Sequence, residues 1–303
     1  MNQHIDFTII IPHRESIDTL IRLFNSIPIS DSIEIIVIDN SPLPITREQI
    51  DVERSYQLLW CDPCRHAGGA RNVGLDSAHG KWLIFADADD YFAPRAFDDF
   101  YDNINNDADI IYFASQGIYG DTGKPSNRGE HYNSMVRVFL RDPFNDINIR
   151  VGFSVPWAKM IRHNMVKENN IRFEEIRASN DVMFSLLTGF CAKKIAAVDS
   201  IVYIVTTNVG SLTRRRNFDV IEARLGATLR KNKYLKEHGH SDLQSSVMLY
   251  LKESLRFGIV PFFLLFWKVL KFRQNIFIGI SRWTRTYIKN SKLEKREAKY
   301  IVR

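Results

Sequence analysis

The chain has 303 residues, 45% hydrophobic and 25% charged, which suits a protein with a large core and excludes a disordered polymer. Its three cysteines, Cys61, Cys64 and Cys191, cannot make a full disulfide framework, and the single Cys-x2-Cys pair lacks the second pair that a zinc ribbon needs. The formal net charge of +6 conceals two parts: residues 251–303 carry 13 Lys and Arg against 3 Asp and Glu, while the remainder carries 28 against 32.

The N-terminus reaches an apolar, β-branched run, "DFTIIIP", within seven residues and has no basic segment followed by a long apolar one. That pattern predicts no secretory signal, and with the unpaired cysteines it predicts a reducing cytoplasm. "ESIDTLIRLFNSI" follows with helical spacing, Leu20, Leu23, Phe24 and Ile27 falling on one side. "IEIIVIDNSP" reads as a second buried strand and "SYQLLWC" as a third. "GGARNVGLDSAHG" brackets a short helix, and "KWLIFADADD" is a fourth strand. Continuous apolar strands separated by helices predict an α/β fold with a parallel sheet covered on both faces. In such sheets ligands bind beyond the carboxyl ends of the strands, where Pro12, His13, Asp39 and Asp87–Asp90 all lie. The polar stretch 120–133 is the expected mobile loop, residues 155–195 return to helix-forming patterns, 196–205 is a further strand, and the chain is helical from about 217 onward.

Three carboxylates, Asp87, Asp89 and Asp90, crowd the end of the apolar strand "WLIFA". Asp is disfavoured in strands, and like charges so close repel unless a cation neutralises them. An Asp-x-Asp at a strand end suits a divalent metal shared with phosphate oxygens. The tripeptide alone is common in turns and helix caps. Its setting, after a wholly apolar strand and downstream of "GGARNVG", is what gives it meaning.

At this point the sequence resembles a family. "FTIIIPHRES", "EIIVIDNSP", "GGARNVGLDSAHGKWLIFADADDYFAP" and "VPWAKMIRHNMVKENNIRFEEIRASNDVMF" are similar, in order, to the motifs of inverting family 2 glycosyltransferases of bacterial polysaccharide biosynthesis. The resemblance spans about residues 6–215 and implies a GT-A fold, a Rossmann-like, mostly parallel sheet of the nucleotide-diphospho-sugar transferases. It divides the chain into a catalytic domain, 1–215, and a C-terminal helical region, 216–303. The implied reaction moves a hexose-type sugar from a nucleotide diphosphate, UDP by default, to a saccharide acceptor, with Mn²⁺ or Mg²⁺ as cofactor. By position, Pro12, His13, Arg14 and Glu15 would lie against the nucleobase and Asp39 would bond base or ribose. Arg71 and Asn72 would lie near the donor, Arg71 pairing with phosphate. Asp87 and Ala88 would approach the ribose and Asp89 would hold the metal. Asp181 would be the general base, and Trp157, Lys159 and Asn180 would shape the sugar and acceptor pocket.

The family pattern is not matched everywhere. His13 stands where a small hydroxyl residue is common, Asn40 replaces a frequent second Asp, and Asn180 replaces the Glu before the base. In "TTNVGSLTRRR", Thr207 or Asn208 occupies the place of an Arg or His, a phosphate contact that Arg214–Arg216 could supply instead. Other readings remain open: Asp39 as a turn former, Asp181 as a helix cap, Trp157 as core packing. A nucleotidyltransferase would want glycines directly after the first strand, where "PHRES" has none. The competing non-enzymatic reading is a glycosyltransferase-like membrane adaptor.

The C-terminal segment, about 255–299, differs from the rest. Its apolar run from Phe257 to Trp267 is 11 residues, short of the ~20 that span a bilayer. Basic residues then recur at helical intervals between aromatic and aliphatic ones, which predicts a helix lying in an anionic membrane interface, or one packed on the catalytic domain. No nucleic-acid motif accompanies the charge, so no nucleic-acid partner is expected. A membrane site suits an acceptor carried on a polyprenyl diphosphate, with the enzyme held peripherally at the cytoplasmic face.

Overall fold

A computed structural model describes residues 4–207 and 217–278. The chain forms two compact units, Met1–Arg215 and Arg216–Arg303. In the first, the apolar runs become β1 (Phe7–His13), β2 (Ile33–Asp39), β3 (Gln57–Trp60) and β4 (Trp82–Phe85). Helices α1 (Ile17–Asn25) and α2 (His66–Ser77) connect them. Leu20, Leu23, Phe24 and Ile27 are buried, as their spacing required. The order continues through β5 (Tyr91–Phe92), α3 (Ala96–Asp102), β6 (Ile110–Tyr119), β7 (Pro125–Ser126), α4 (Glu130–Arg141) and α5 (Ile147–Gly152). It ends with β8 (Lys159–Arg162), α6 (His163–Glu168), α7 (Asp181–Cys191) and β9 (Ile195–Thr207).

Among the described residues nine strands join one sheet in the order β3-β2-β1-β4-β8-β6-β9-β5, with β7 on β6. Strands β3, β2, β1 and β4 are mutually parallel, as is β6 with β9, and these pairs hold most of the ladder. Strand β8 reverses direction between β4 and β6, and β5 and β7 are short antiparallel additions. The sheet is therefore mixed rather than wholly parallel. Strand β8 falls inside 155–195, which reads as helical in sequence: four residues are too few for a period to show. The acids of "DADD" lie beyond β4, in a turn closed by Asp90 N–H donating to the Asp87 carbonyl at 3.0 Å.

The segment 120–133 is a hairpin return, not an open loop. Gly117 and Ile118 pair with Ser126 and Pro125, α4 begins at Glu130, and buried Asn133 bonds the Ser115 backbone through both its amide oxygen and nitrogen. Its polar composition is that of turn-forming residues.

Register explains the crevice. His13 lies opposite Asp39 and Ile10 opposite Phe85, so Pro12, Asp39 and Asp87 meet along one edge of β2-β1-β4. Behind that edge the core is aromatic: Phe92, Phe97, Phe100 and Phe113 meet edge to face at 5.1–6.0 Å, a favoured ring geometry.

The second unit holds α8 (Phe218–Glu237), α9 (Met248–Ser254) and α10 (Ile259–Lys271). Ile221, Leu225 and Leu229 of α8 pack with Val247, Leu251, Leu265 and Val269 in its own small core. No helix among the described residues is long and apolar enough to cross a membrane. Asn208, Arg214–Arg216 and the basic residues beyond 278 lie outside the described residues.

Candidate active site

Two clusters line the carboxyl edge of the sheet. The first joins β1 to β2. Ser16 N–H donates to His13 Nε2 at 3.2 Å, which leaves the ring proton on Nδ1, 3.0 Å from Asp39 Oδ1. Asp39 also accepts from the Ser41 hydroxyl at 2.7 Å and from Ile45 N–H at 3.0 Å. Burial pushes the Asp39 carboxyl up, but the Ser41, His13 and Ile45 donors outweigh it and hold it below the usual range. Asp39 is thus the buried anchor of the 40–46 turn. The surface that a base could meet is a cleft of about 470 Å³ lined by Glu15, Ser16, Thr19, Ser41, Leu43 and Ile45. Pro12 is half-buried and Arg14 and Glu15 are exposed on its side of the molecule. Glu15 takes a left-handed φ of 54°, and its N–H donates to Ser41 Oγ at 3.0 Å. Asn40 donates to the carbonyls of Cys61 and Asp62, work that a second Asp, with no donor, could not do.

The second cluster joins α2, the β4 turn and α7. Arg71 is buried on α2. Its Nη2 donates to Asp87 Oδ1 at 2.5 Å and its Nη1 to Asn180 Oδ1 at 2.7 Å, with Phe173 beneath the guanidinium at 5.3 Å. In this structure the Arg71 fork engages two protein partners, and it ties the Asp87 turn to the segment before Asp181. Asn72 is likewise turned to the chain, exchanging hydrogen bonds with the Phe173 backbone and reaching Glu175 Oε1 at 3.2 Å. Arg65 holds the same Glu175 through two nitrogens. These bonds seat the 171–180 segment, which delivers Asp181 at the first turn of α7. The helix cap is Asn180, one residue before the acid, and it makes no capping side-chain bond.

Asp181 is half-buried. Burial raises its carboxyl above the ordinary value, opposed by the Arg71 charge. A raised carboxyl is what a general base at neutral pH requires. Lys159, fully buried, donates to the Phe153 carbonyl at 2.7 Å and to Ser185 Oγ at 3.4 Å. Desolvation brings its ammonium down to about 7, while Asp181 pulls the other way. Lys159 underlies Asp181 rather than lining an open pocket. Trp157 is 3% exposed and stacks on Tyr203 at 5.6 Å and 12°. In this structure Trp157 is packed in the core against Tyr203.

Three contributors, Tyr203, Arg22 and Arg128, escaped the sequence, and Asp90 gains a partner it did not show there. The Tyr203 hydroxyl accepts the Asp87 N–H at 2.8 Å, and buried Asp90 accepts Thr206 N–H at 2.7 Å. Arg22 donates to the Asp89 carbonyl at 2.6 Å, and Arg128 donates to the Thr206 carbonyl at 2.9 Å while its charge offsets the acids. None has a local signature, since each partner is 65 or more residues away.

The turn itself is crowded with carboxylates. Asp89 is raised by burial and then by the Asp87 charge, and Asp90 by burial and then by Asp89. Asp90 Oδ2 is buried with no hydrogen-bond partner. Such a set is short of positive charge. Among the described residues no three acids, histidines or cysteines converge as a full ligand set. An ion here would take most of its shell from phosphate and water, as Mg²⁺ and Mn²⁺ commonly do. Ala88, between Asp87 and Asp89, is 7% exposed.

The family model for glycosyl transferase family 2 matches residues 8–169, just over half of the chain. The chain belongs to glycosyl transferase family 2. Among similar proteins, EpsH of Bacillus subtilis (strain 168) is 24% identical to this glycosyltransferase over 236 residues, covering 73% of this chain and 67% of EpsH. Poly(ribitol-phosphate) beta-N-acetylglucosaminyltransferase TarS of Staphylococcus aureus (strain MW2) is 24% identical over 213 residues, 66% of this chain and 35% of TarS, so the chain spans about a third of that protein. The succinoglycan biosynthesis protein ExoO of Rhizobium meliloti (strain 1021) is 23% identical over 231 residues, 73% of this chain and 66% of ExoO. The crystal structure of S. aureus TarS 1-349 shares the fold with a TM-score of 0.56 at 19% identity, covering 84% of this chain and 73% of that one. The same fragment in complex with UDP-GlcNAc has a TM-score of 0.55 at 18% identity over the same shares. The GT-A architecture is thereby shown for this family 2 glycosyltransferase.

Proposed function

We propose that this chain transfers a hexose-type sugar from a UDP-sugar to a saccharide acceptor with inversion, in assembly of a bacterial surface polysaccharide such as capsule, O-antigen or exopolysaccharide. The observation that carries the reading is the convergence of Asp87 and Asp89 with Asp181, residues of two distant elements joined through Arg71 and Asn180. The activities for which TarS and ExoO are named, and the TarS complexes with UDP and UDP-GlcNAc, support the donor and product classes.

Asp181 takes the proton of the acceptor hydroxyl as its oxygen attacks the anomeric carbon. The bond from that carbon to the diphosphate breaks, and UDP leaves with the electron pair. Asp89 would hold Mn²⁺ or Mg²⁺, which when bound supplies positive charge to the departing diphosphate. Arg22 and Arg128 add fixed positive charge beside the same acids, and Arg71 orients Asp87 through its hydrogen bond. The acceptor is carried on a polyprenyl diphosphate, and the enzyme works peripherally at the cytoplasmic face of the membrane.

The test is thermal stabilisation by UDP, GDP, CDP and dTDP, each with and without Mn²⁺, followed by transfer assays. At 100 times Kd a ligand adds about 2.7 kcal/mol. UDP should stabilise only with Mn²⁺, and Asp89→Ala should abolish the shift. Asp181→Asn should still bind UDP while transfer falls about 10²–10⁴-fold. Absence of a shift with every nucleotide would overturn the reading.

A further inference from the structure

Helix α10 has one apolar face packed and another bare. Leu265 and Val269 are 1% and 0% exposed in the core of the second unit. Ile259, Val260, Phe263, Leu264, Trp267 and Leu270 all stand in solvent, Trp267 at 70%. At 3.6 residues per turn these six fall within an arc of about 140°, so they form one continuous face. Single exposed apolar residues need no explanation, but a contiguous set of six large ones does.

The charge around that face decides its occupant. Arg256, Lys271 and Arg273 are exposed at its two ends, and residues 251–303 carry 13 Lys and Arg against 3 Asp and Glu. A second copy would set this positive segment against itself, and the repulsion would oppose contact. An anionic bilayer supplies the opposite charge and an apolar layer together. The helix is too short to span, which leaves it in the plane of the interface with its polar and packed sides away from the lipid.

We infer that Ile259, Val260, Phe263, Leu264, Trp267 and Leu270 of α10 form a docking face that inserts into the headgroup–acyl boundary of an anionic membrane, with the flanking cations on the phosphates. This specifies the membrane attachment proposed above, and stands apart from the sugar chemistry, since it involves none of the carboxylates. Trp at the interface has its ring buried and its indole N–H wet, a favoured placement.

The test is flotation of the full chain with vesicles of phosphatidylcholine alone or with 30% phosphatidylglycerol (about a third anionic, chosen to give a surface charge). The full chain should float with the anionic vesicles, release as salt rises, and stay behind with neutral ones. Phe263→Ser with Trp267→Ser should weaken partitioning at least about ten-fold, with the far-ultraviolet melting curve retained. Brominated acyl chains should quench a fluorescence component of the full chain that Trp267→Phe lacks. Equal flotation of the double variant, or no flotation of the full chain, would overturn the inference. So would a dimer of the full chain that the double variant loses while vesicle binding is unchanged. Loss of UDP binding with vesicle binding intact would count against the donor reading only.

Discussion

Arg71 and Asp87 form an ion pair at 2.5 Å in which the arginine, on α2, also reaches Asn180, 109 residues further along the chain. One guanidinium thus ties the Asp87 turn to the segment that delivers Asp181. Removing one partner of a buried pair leaves the other uncompensated, at a cost of about 3–5 kcal/mol for full burial. Asp87 keeps 27% of its side-chain surface, so Arg71→Met should destabilise by about 2–3 kcal/mol by that scale. Arg71→Lys keeps charge without the fork and should recover stability more than transfer rate, read by thermal unfolding beside kcat.

The elevated carboxyl of Asp181 carries a pH signature. The base must be ionised, so transfer should rise with pH through a value above the ordinary carboxylate range and lie flat beyond it. In Arg71→Met the opposing positive charge is gone, and the limb should move further up. A pH profile of kcat at saturating donor, compared between the two proteins, checks both statements. An unmoved limb would separate Asp181 from the Arg71 charge.

Lys159 should be visible in stability. Its folded-state value is about 7 against 10.5 for an unburied lysine, so between those limits the unfolded chain binds the extra proton. Stability therefore rises with pH across that window, and falls as pH drops toward 7, by about 1.4 kcal/mol per unit at most. Lys159→Met should lack this component. Urea unfolding of both proteins at pH 7 and pH 9.5 would show it as a smaller difference between the two pH values in the variant.

Gly68 on α2 leaves no room for a side chain. A Cβ there would stand 2.0 Å from the Glu174 carbonyl oxygen, which is backbone. Gly68→Ala should push out the 171–180 segment, lowering Tm and reducing transfer through Asp181, at an overpacking cost of about 1–3 kcal/mol. Thermal unfolding beside kcat checks both effects, and an unchanged Tm would refute the close approach.

Strands β1, β2 and β4, the buried stripe of α1 and the placing of Asp39, Asp87, Asp89 and Asp181 at element ends were all legible from the chain. Apolar runs and helical periods report burial locally, and acids that interrupt them mark where a strand must stop. Two mismatches in the fold share a cause. Strand β8 pairs two residues with β4 and three with β6, and the β6–β7 hairpin pairs two, too few for a period to show.

What the sequence determined alone was therefore the strand-and-helix order, the acid-bearing edge and the separation of a basic C-terminal segment from an acidic body, because each is a property of neighbouring residues. Tertiary structure alone decided which polar groups meet. It set Arg71 on Asp87 and Asn180 and Asn72 on Phe173, buried Trp157 against Tyr203 and brought Arg22 and Arg128 to the acids. Hydrogen-bond partners across 16 to 116 residues are chosen by how layers pack, and no local pattern of residues encodes that choice.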